Sequence, residues 1–415
     1  MTAGNVFLYL CGGLLPLALI AYQLGRRKAE AQQSRGDRLH SQPGFYGWYS
    51  CSWLVLPALG ASLFFALLHI TGLYAAPPSM LLAAGLLCAA GGLFAGLRSI
   101  RPGLAARNKV ENIIRWLLLL ASGVSILTTL GIVFSILFEA IKFFQIVSVW
   151  EFITGTNWSP EAAFLSGAGR GGESMAEPEF GAVPIFAGTF MITFIAMCVA
   201  LPIGLLSAIY MSEYASHRVR GTAKPILEIL AGIPTVVYGF FAAITVSPLV
   251  VEAAERVGLE AAYTNALTPG LVMGIMIIPF ISSLTDDIIN SIPQSLREGS
   301  YALGTTQSET IKRVLLPAAL PGIVSAFLLG VSRALGETMI VVMAAGLRPH
   351  LTWNPLEGMT TVTVRIVNAL TGDLAFDSAE TLSAFGLGLA LFVVTLILNV
   401  ISTVVIRRFK QQYEL

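Results

Sequence analysis

Two residues of opposite charge stand four positions apart in the stretch SRALGETMIVV, which runs from Ser332 to Val342. Arg333 carries a guanidinium group and Glu337 a carboxylate, yet the residues around them are apolar enough to cross a bilayer. A charged side chain near the middle of a membrane-spanning helix costs about 2.5–3.5 kcal/mol on insertion scales. Two of them in one span therefore require a reason.

In a continuous helix this spacing places Arg333 and Glu337 on one face, with their β-carbons about 6 Å apart. Two interpretations are open. The pair could neutralise itself and hold the span against its neighbours. Alternatively, it could form a site for an anion that crosses the membrane, because a guanidinium group offers forked donors that match phosphate oxygens. In that case we expect Glu337 to hold Arg333 until the anion arrives.

The composition indicates which class of protein carries these charges. Of the 415 residues, 55% are hydrophobic and only 12% are charged, and the formal net charge is +1. A soluble domain of this size needs more charge to cover its surface. We therefore predict an all-α, polytopic membrane protein with short loops.

Apolar runs of about 20 residues predict nine membrane-spanning helices. Their approximate bounds are 5–24, 48–73, 79–98, 113–138, 184–211, 226–250, 268–289, 321–346 and 383–406. An odd number of spans places the two termini on opposite sides of the membrane.

Most of the 25 Lys and Arg residues fall in alternate loops, which is typical of loops on the cytoplasmic side. This set comprises Arg26, Arg27, Lys28, Arg35, Arg38, Arg98, Arg101, Arg107, Lys109, Arg115, Arg218, Arg220, Lys224, Arg297, Lys312, Arg313, Arg407, Arg408 and Lys410. The sequence therefore predicts a periplasmic N-terminus and a cytoplasmic C-terminus. Two long segments, 139–183 and 347–382, are then periplasmic.

The sequence lacks the usual motifs of enzymes. GAGRGG at 167–172 matches a dinucleotide-binding pattern, but Pro, Ser and Glu surround it, so we interpret it as a flexible loop. There is no Walker A sequence, no cluster of His and Glu for a metal, and no nucleophile elbow. The four cysteines lie in apolar runs and are interpreted as small core residues: Cys11, Cys51, Cys88 and Cys198. We expect a chain that is not an enzyme and binds no cofactor itself.

The segment 290–320 is the one long, organised segment on the predicted cytoplasmic side. Ser295 and Glu298 have the S-x-x-E spacing of a capping box and predict a helix that starts just after Pro293. Thr306 and Glu309 repeat this spacing and predict a second helix.

Glycine and proline residues set the remaining boundaries of this segment. Gly304 lies between the two predicted helices, where a residue that tolerates positive φ is favoured. We expect Pro317 to end the second helix, and Pro321 and Gly322 to begin the eighth span. From the pattern alone, the two helices could lie on the lipid surface or form a rigid knob for a cytoplasmic partner.

The same segment resembles the EAA loop of permease subunits of ABC importers. Glu298, Gly299 and Ser300 stand where that family has E-A-A, and further positions fit: Gly304, Ile311, Leu316, Pro317, Pro321 and Gly322. In the family this loop docks into the ATPase subunit. The resemblance therefore implies a set of ATPase-coupling residues: Glu298, Ala302, Gly304, Leu316 and Pro317.

Three further stretches resemble the PstC permease family of phosphate ABC importers. They are AGIPTVVYGF (231–240), PFISSLTDDIINSIPQSLREGSYALG (279–304) and SRALGETMIVVMAAG (332–346). Met339 and Ile340 follow Thr338, which favours PstC over the sister family PstA. The resemblance covers about 111–410 and implies that Arg333, Glu337 and Thr338 lie on the substrate path.

The resemblance also implies a domain organisation. Residues 1–110 would form an accessory region with three spans, and 111–183 would hold the first core helix and a periplasmic segment. Residues 184–410 would complete a six-helix permease core of the type I ABC importer fold, with coupling helices at about 294–318. The resemblance assigns no role to the accessory region.

The function that the resemblance implies is import of inorganic phosphate by alternating access. The partners would be a sister permease of PstA type, two copies of a cytoplasmic ATPase of PstB type that binds ATP and Mg²⁺, a periplasmic phosphate-binding protein, and membrane lipid. A permease for another oxyanion such as molybdate or sulfate, a secondary transporter or channel without an ATPase, and a structural scaffold stay open as alternatives.

Two other features have alternative interpretations. Asp286 and Asp287 end the seventh predicted span, and they could face cytoplasmic water or form a gate or an intersubunit contact. GIPTVVYG (232–239) places Gly and Pro inside the sixth predicted span, where they could create a mobile, pore-lining element or pack in an ordinary way.

Overall fold

The computed structural model describes residues 3–34, 38–70, 77–160, 178–372 and 378–413. Within these ranges the chain is almost entirely helical. One short antiparallel pair joins β1 (Trp158–Ser159) to β2 (Glu179–Phe180). The all-α fold class is confirmed. The motif GAGRGG at 167–172 lies outside the described residues.

The chain divides into two compact units, Met1–Gly131 and Ile132–Leu415. The first unit contains α1 (Ala3–Ser34), α2 (Pro43–Ile70), α3 (Pro78–Ser99) and most of α4 (Ala106–Ile146). Helices α1, α2 and α3 pack against one another.

Small residues bring α2 and α3 into close contact. A β-carbon on Gly92 of α3 would clash with the carbonyl oxygen of Trp53 on α2, so only glycine fits at this point. Close approach through small residues is the usual way in which helices associate inside a membrane, where burial of apolar surface provides no driving force between them.

The second unit begins within α4 and contains the remaining helices. They are α5 (Val149–Thr154), α6 (Val183–Ile209), α7 (His217–Ala231), α8 (Thr235–Phe241), α9 (Ser247–Arg256), α10 (Leu267–Ser291), α11 (Gln294–Ala302), α12 (Gln307–Thr310), α13 (Leu316–Leu335), α14 (Met339–Ala344), α15 (Val362–Gly372) and α16 (Ala379–Tyr413). Three π-helical segments, Tyr210–Tyr214, Ala242–Val246 and Ile311–Leu315, extend α6, connect α8 to α9, and connect α12 to α13.

Helix α10 is the centre of the second unit. It packs against α6 and α13, and its residues Met273, Ile277 and Ile281 are fully buried. Ala196 and Ala200 on α6 belong to the same buried cluster. Alternation of small and large side chains across this contact fills the space between the helices.

Eight helices in the described residues are long and apolar enough to cross a membrane. They are Pro43–His69, Leu82–Ser99, Ala106–Ile146, Val183–Tyr214, Thr235–Arg256, Leu267–Ser291, Gln307–Leu335 and Ala379–Val405. They correspond to the second to ninth predicted spans. The first, 5–24, falls within α1 and partly outside the residues whose side chains are described, so it stays a prediction. Six of the eight follow residue 105, as expected for the permease core.

The sixth and eighth predicted spans have wrong bounds. The sixth is Thr235–Arg256 and not 226–250, because α7 ends at Ala231 and Gly232–Pro234 separates it from α8. A proline disfavours helical backbone in the residue before it. The Gly and Pro of GIP therefore lie before this span and not inside it. The eighth is Gln307–Leu335 and not 321–346.

Gly92 provides a test of the contact between α2 and α3. We expect Gly92→Val to lower the melting temperature of the purified protein, because overpacking costs about 1–3 kcal/mol. Gly91→Val is the matched control, since a β-carbon there meets nothing within 4 Å and the change in helix propensity is the same. Thermal unfolding in detergent measures both. Equal losses in the two variants would contradict this packing.

Candidate functional site

The stretch that carries Arg333 and Glu337 is not one helix. Helix α13 ends at Leu335, and Gly336, Glu337 and Thr338 separate it from α14. We call these three residues the break. Non-helical backbone inside a membrane protein occurs only where protein or a water-filled cavity supplies its hydrogen bonds. The partners of the break are therefore informative.

Glu337 supplies most of these hydrogen bonds. Its carboxylate accepts from the backbone amides of Met339 at 3.1 Å and Ile340 at 3.4 Å. Its own amide donates to the carbonyl of Ala334 at 3.2 Å, and its carbonyl accepts from the hydroxyl of Thr363 at 2.9 Å. A negative charge at the start of a helix also interacts favourably with the helix dipole. Glu337 thus caps α14.

Arg333 lies in the last turn of α13, with its guanidinium carbon 5.4 Å from the ring centroid of Phe280 on α10. Phe280 is near the middle of that 25-residue span, about 20 Å from its start at 1.5 Å per residue. Among the described residues, no carboxylate lies within 4.0 Å of Arg333. A cation over an aromatic face is stabilised but keeps its donors for other partners.

The prediction that Arg333 and Glu337 form a pair on one helical face is therefore wrong. The four-residue spacing brings two side chains together only if the helix continues between them. Here it ends, because Gly336 is a poor helix former and takes the C-cap position of α13. Glu337 consequently holds backbone amides and not Arg333. Arg333 lies in the last turn of α13 before the break, and Glu337 and Thr338 belong to the break itself.

Two contacts position α14 and α15, the helices next to the break. A β-carbon on Gly239 of α8 would lie 3.0 Å from the carbonyl oxygen of Met339 and 3.2 Å from the α-carbon of Ile340. On another side, the hydroxyl of Thr189 on α6 accepts a hydrogen bond from the amide of Val362 at 3.0 Å. This contact fixes the start of α15, whose Thr363 bonds the break. Gly239 belongs to the motif GIPTVVYG, but the sequence did not predict that it packs closely against α14.

The second candidate site consists of α11, α12 and the turn between them, residues 294–310, which we call the knob. The capping box of Thr306 and Glu309 is confirmed, and so is the positive φ of Gly304, at +83°. The capping box of Ser295 and Glu298 is wrong. Pro293 occupies the N-cap of α11, so Ser295 lies inside the first turn and caps nothing.

Pro317 does not end the second helix of the knob. Helix α12 continues through the π-helical segment Ile311–Leu315 into α13, so the knob is continuous with a membrane span. Pro317 falls in the first turn of α13, where proline is tolerated. Of the predicted coupling residues, Glu298, Ala302 and Gly304 are exposed on the knob. Leu316 and Pro317 lie at the start of α13 and are partly buried.

A buried ion pair anchors the knob to the spans. The guanidinium of Arg297 on α11 donates to Glu213 at 3.0 Å and to the carbonyls of Ile289 and Ile292 at 2.8 Å each. The Arg297 and Glu213 side chains are only 10% and 8% exposed. Gln307 adds a hydrogen bond to the carbonyl of Glu213 at 2.6 Å. The knob also exposes the apolar side chains of Leu296, Tyr301 and Leu303.

The first interpretation required Asp286 to face cytoplasmic water, and the structure contradicts it. It is fully buried, and its carboxylate accepts from Arg220 at 3.0 Å, Lys224 at 3.1 Å and Asn290 at 2.9 Å. Asp287 is 64% exposed and binds Lys224 at 2.8 Å, which raises the pKa of the lysine above its ordinary value. Sequence reasoning missed this cluster, because Arg220 and Asp286 are 66 positions apart. We call Arg220, Lys224, Asp286, Asp287 and Asn290 the α7–α10 cluster.

The described residues contain no group of three or more His, Cys, Asp and Glu that could hold a metal ion. Cys51, Cys88 and Cys198 are free thiols. The functional groups at the two candidate sites are guanidinium groups, carboxylates, hydroxyl groups and backbone amides.

Two protein families match the chain. The family described as "Binding-protein-dependent transport system inner membrane component" matches residues 200–412. The family described as "Phosphate ATP-binding cassette transporter" matches residues 13–76. The second match falls in the N-terminal region, which the sequence resemblance did not cover.

The chain aligns with most of the length of several individual relatives. The "Probable ABC transporter permease protein YqgH" of Bacillus subtilis is 33% identical over 67% of this chain and 83% of its own. The "Phosphate transport system permease protein PstC 1" of Mycobacterium tuberculosis is 33% identical over 62% of this chain and 82% of its own. The PstC protein of Haemophilus influenzae is 29% identical, with coverages of 66% and 89%.

The anchor of the knob can be tested by charge removal. Arg297→Gln leaves the carboxylate of Glu213 buried without its cation, a change that costs about 3–5 kcal/mol in known buried pairs. We expect a clear loss of thermal stability, and little change in the control Arg313→Gln, whose side chain is exposed. The double variant with Glu213→Gln should lose less than the sum of the two single losses. A strictly additive result would show that the pair does not act as a unit.

Proposed function

Because this chain belongs to the family of binding-protein-dependent transport system inner membrane components, and within it to phosphate permeases of PstC type, we propose that it forms half of the membrane path of an importer for inorganic phosphate. The sister permease, of PstA type, supplies the other half. Two copies of an ATPase of PstB type bind ATP and Mg²⁺, and this chain binds neither. A periplasmic protein delivers phosphate to it.

The observation that carries the proposal is the guanidinium of Arg333 beside the break. It contacts the ring of Phe280 near the middle of α10, and no described carboxylate lies within 4.0 Å of it. The side chain is exposed at the surface of this chain. A cation at this depth in a membrane protein needs a polar partner, and a mobile anion that pairs with it transiently would meet that need. Phosphate matches the planar fork of donors on arginine. In this account Glu337 shapes the site by capping α14, and Thr338 offers a hydroxyl beside it.

The knob is the proposed contact with the ATPase. It exposes the apolar side chains of Leu296, Tyr301 and Leu303, and the ion pair of Arg297 with Glu213 fixes it to the spans. It is continuous with Gln307–Leu335, the helix that carries Arg333 in its last turn and ends at the break. In this proposal a movement of the ATPase displaces the substrate site along this continuous element and gives it alternating access to the two sides of the membrane.

The distribution of Lys and Arg supports the direction of transport. The knob and α7 lie in the loops that carry most of the Lys and Arg residues, which favours a cytoplasmic position for both under the positive-inside rule. The loop that follows α14 then faces the periplasm, where phosphate arrives. The chain is a multi-pass protein of the inner membrane in this account.

Substitution of Arg333 tests the substrate site. We expect Arg333→Gln to reduce phosphate uptake by proteoliposomes with the assembled complex by about tenfold or more, because a charge-assisted hydrogen bond contributes about 1.5–3 kcal/mol. Assembly and basal ATP hydrolysis should persist. The control Arg256→Gln removes an exposed arginine that pairs with Glu252 and should transport normally. Normal uptake by Arg333→Gln would remove this residue from the mechanism.

Substitution on the knob tests the ATPase contact. Leu303 is 86% exposed, and Leu303→Asp should prevent co-purification of the ATPase by placing a charge in an apolar contact. Val257→Asp is the control, since Val257 is 76% exposed but lies beyond α9, in a loop predicted on the opposite side. ATPase retained by Leu303→Asp, or lost equally from both variants, would contradict the assignment.

A further inference from the structure

A cluster of polar side chains binds helix α7 to α10. None of its residues is buried, and two of its apolar residues, Ile226 and Ile229, are exposed. All the described side-chain hydrogen bonds from α7 to α10 end on Asp286, Asp287 or Asn290. The α7–α10 cluster is therefore what fixes the position of α7 along α10.

Asp286 is the centre of this cluster. Its carboxylate is fully buried, whereas the side chains of Arg220 and Lys224 are 31% and 29% exposed and can turn towards water. A buried ion pair is often no more stable than apolar residues of the same size. The buried charge is thus better explained by the register that it imposes on α7 than by added stability.

The cluster lies between the knob and the break. Asn290 accepts from Arg220 at 3.3 Å, and it lines a polar cavity of about 390 Å³ together with Glu213 and Arg297, which anchor the knob. In the other direction, α7 leads through Gly232–Pro234 into α8. Helix α8 meets α14 at Gly239, directly after the break.

We propose that Asp286 is a positioning residue that keeps α7 in register with α10, so that a displacement of the knob reaches α8, α14 and the break that carries Glu337. This inference rests on the proposed function, because it takes the knob to be the part that the ATPase moves. In a purely structural role, loss of the charge would weaken the protein without changing how ATP hydrolysis is linked to transport.

The experiment compares Asp286→Asn with Glu228→Gln in the complex of both permeases and the ATPase. Glu228 is an exposed carboxylate on α7 itself, so the control makes the same chemical change on the same helix. The asparagine can still accept the hydrogen bond from Asn290. Amide hydrogen exchange over 217–231 should become about tenfold faster in Asp286→Asn and stay unchanged in the control.

The same complexes, reconstituted with the binding protein, give a second measurement. Phosphate taken up per ATP hydrolysed should fall about tenfold in Asp286→Asn, within the usual range of coupling between two sites. Yield of the complex and basal ATP hydrolysis should not change. Glu228→Gln should match the wild type in all of these.

The outcomes separate this inference from the proposed function. Unchanged exchange in α7 would overturn the inference whatever ion is transported. Faster exchange with normal uptake per ATP would reduce the cluster to a structural role and also overturn it. No phosphate uptake by the wild type would contradict the proposed function, while the exchange result would still show whether the cluster holds α7.

A milder variant covers the case in which Asp286→Asn does not assemble. Arg220→Gln leaves Asp286 paired with Lys224 and Asn290. We therefore expect a smaller increase in amide exchange over 217–231 and a smaller fall in phosphate taken up per ATP. Failure of both variants to assemble would overturn the inference, because a positioning residue is dispensable for assembly.

Discussion

The structure around the candidate site depends on one constraint, the need to satisfy backbone hydrogen bonds where a membrane helix stops. Gly336, Glu337 and Thr338 separate α13 from α14, directly after the helical turn that carries Arg333. Glu337 meets this constraint by binding the first amides of α14, and Thr363 completes it from α15. The close packing of Gly239 against α14 and the hydrogen bond between Thr189 and Val362 hold the helices around the break in place. The break is stable because the surrounding residues supply the hydrogen bonds that a continuous helix would have supplied.

Exposure and partnering distinguish Arg333, which is exposed, from the buried charges Arg297 and Asp286. Arg297 is bound by a carboxylate and two carbonyls, and Asp286 by two cations and an amide. Their positions are fixed, which suits elements that transmit movement. Arg333 has an aromatic ring beside it and, among the described residues, no carboxylate. A site that must bind and release an anion requires this kind of incomplete partnering.

Local signals in the sequence predicted the local structure well. Apolar run length identified the eight described spans, and the spacing of Thr306 and Glu309 identified a true capping box, because each depends on neighbours in the chain. The same spacing failed at Ser295 and Glu298, since Pro293 had already fixed where α11 starts. Gly336 within SRALGETM was a visible signal for the break, but the expected pairing of charges outweighed it.

Contacts between distant segments could not be predicted in this way. The cations that bind Asp286 lie on α7, and the carboxylate that binds Arg297 lies in the π-helical segment after α6. One sequence gives no indication of which cation reaches which carboxylate across 60 to 90 positions. The resemblance to a family suggested which residues lie on the substrate path, and the geometry then reassigned the task of Glu337 from holding Arg333 to capping α14.

The most direct test of the central claim is the structure of the assembled complex with phosphate, determined by electron cryo-microscopy. The account predicts anion density within hydrogen-bond distance of the Arg333 guanidinium, in a cavity bordered by the break and by the sister permease. An Arg333 side chain that faces lipid, remote from any translocation cavity, would contradict it.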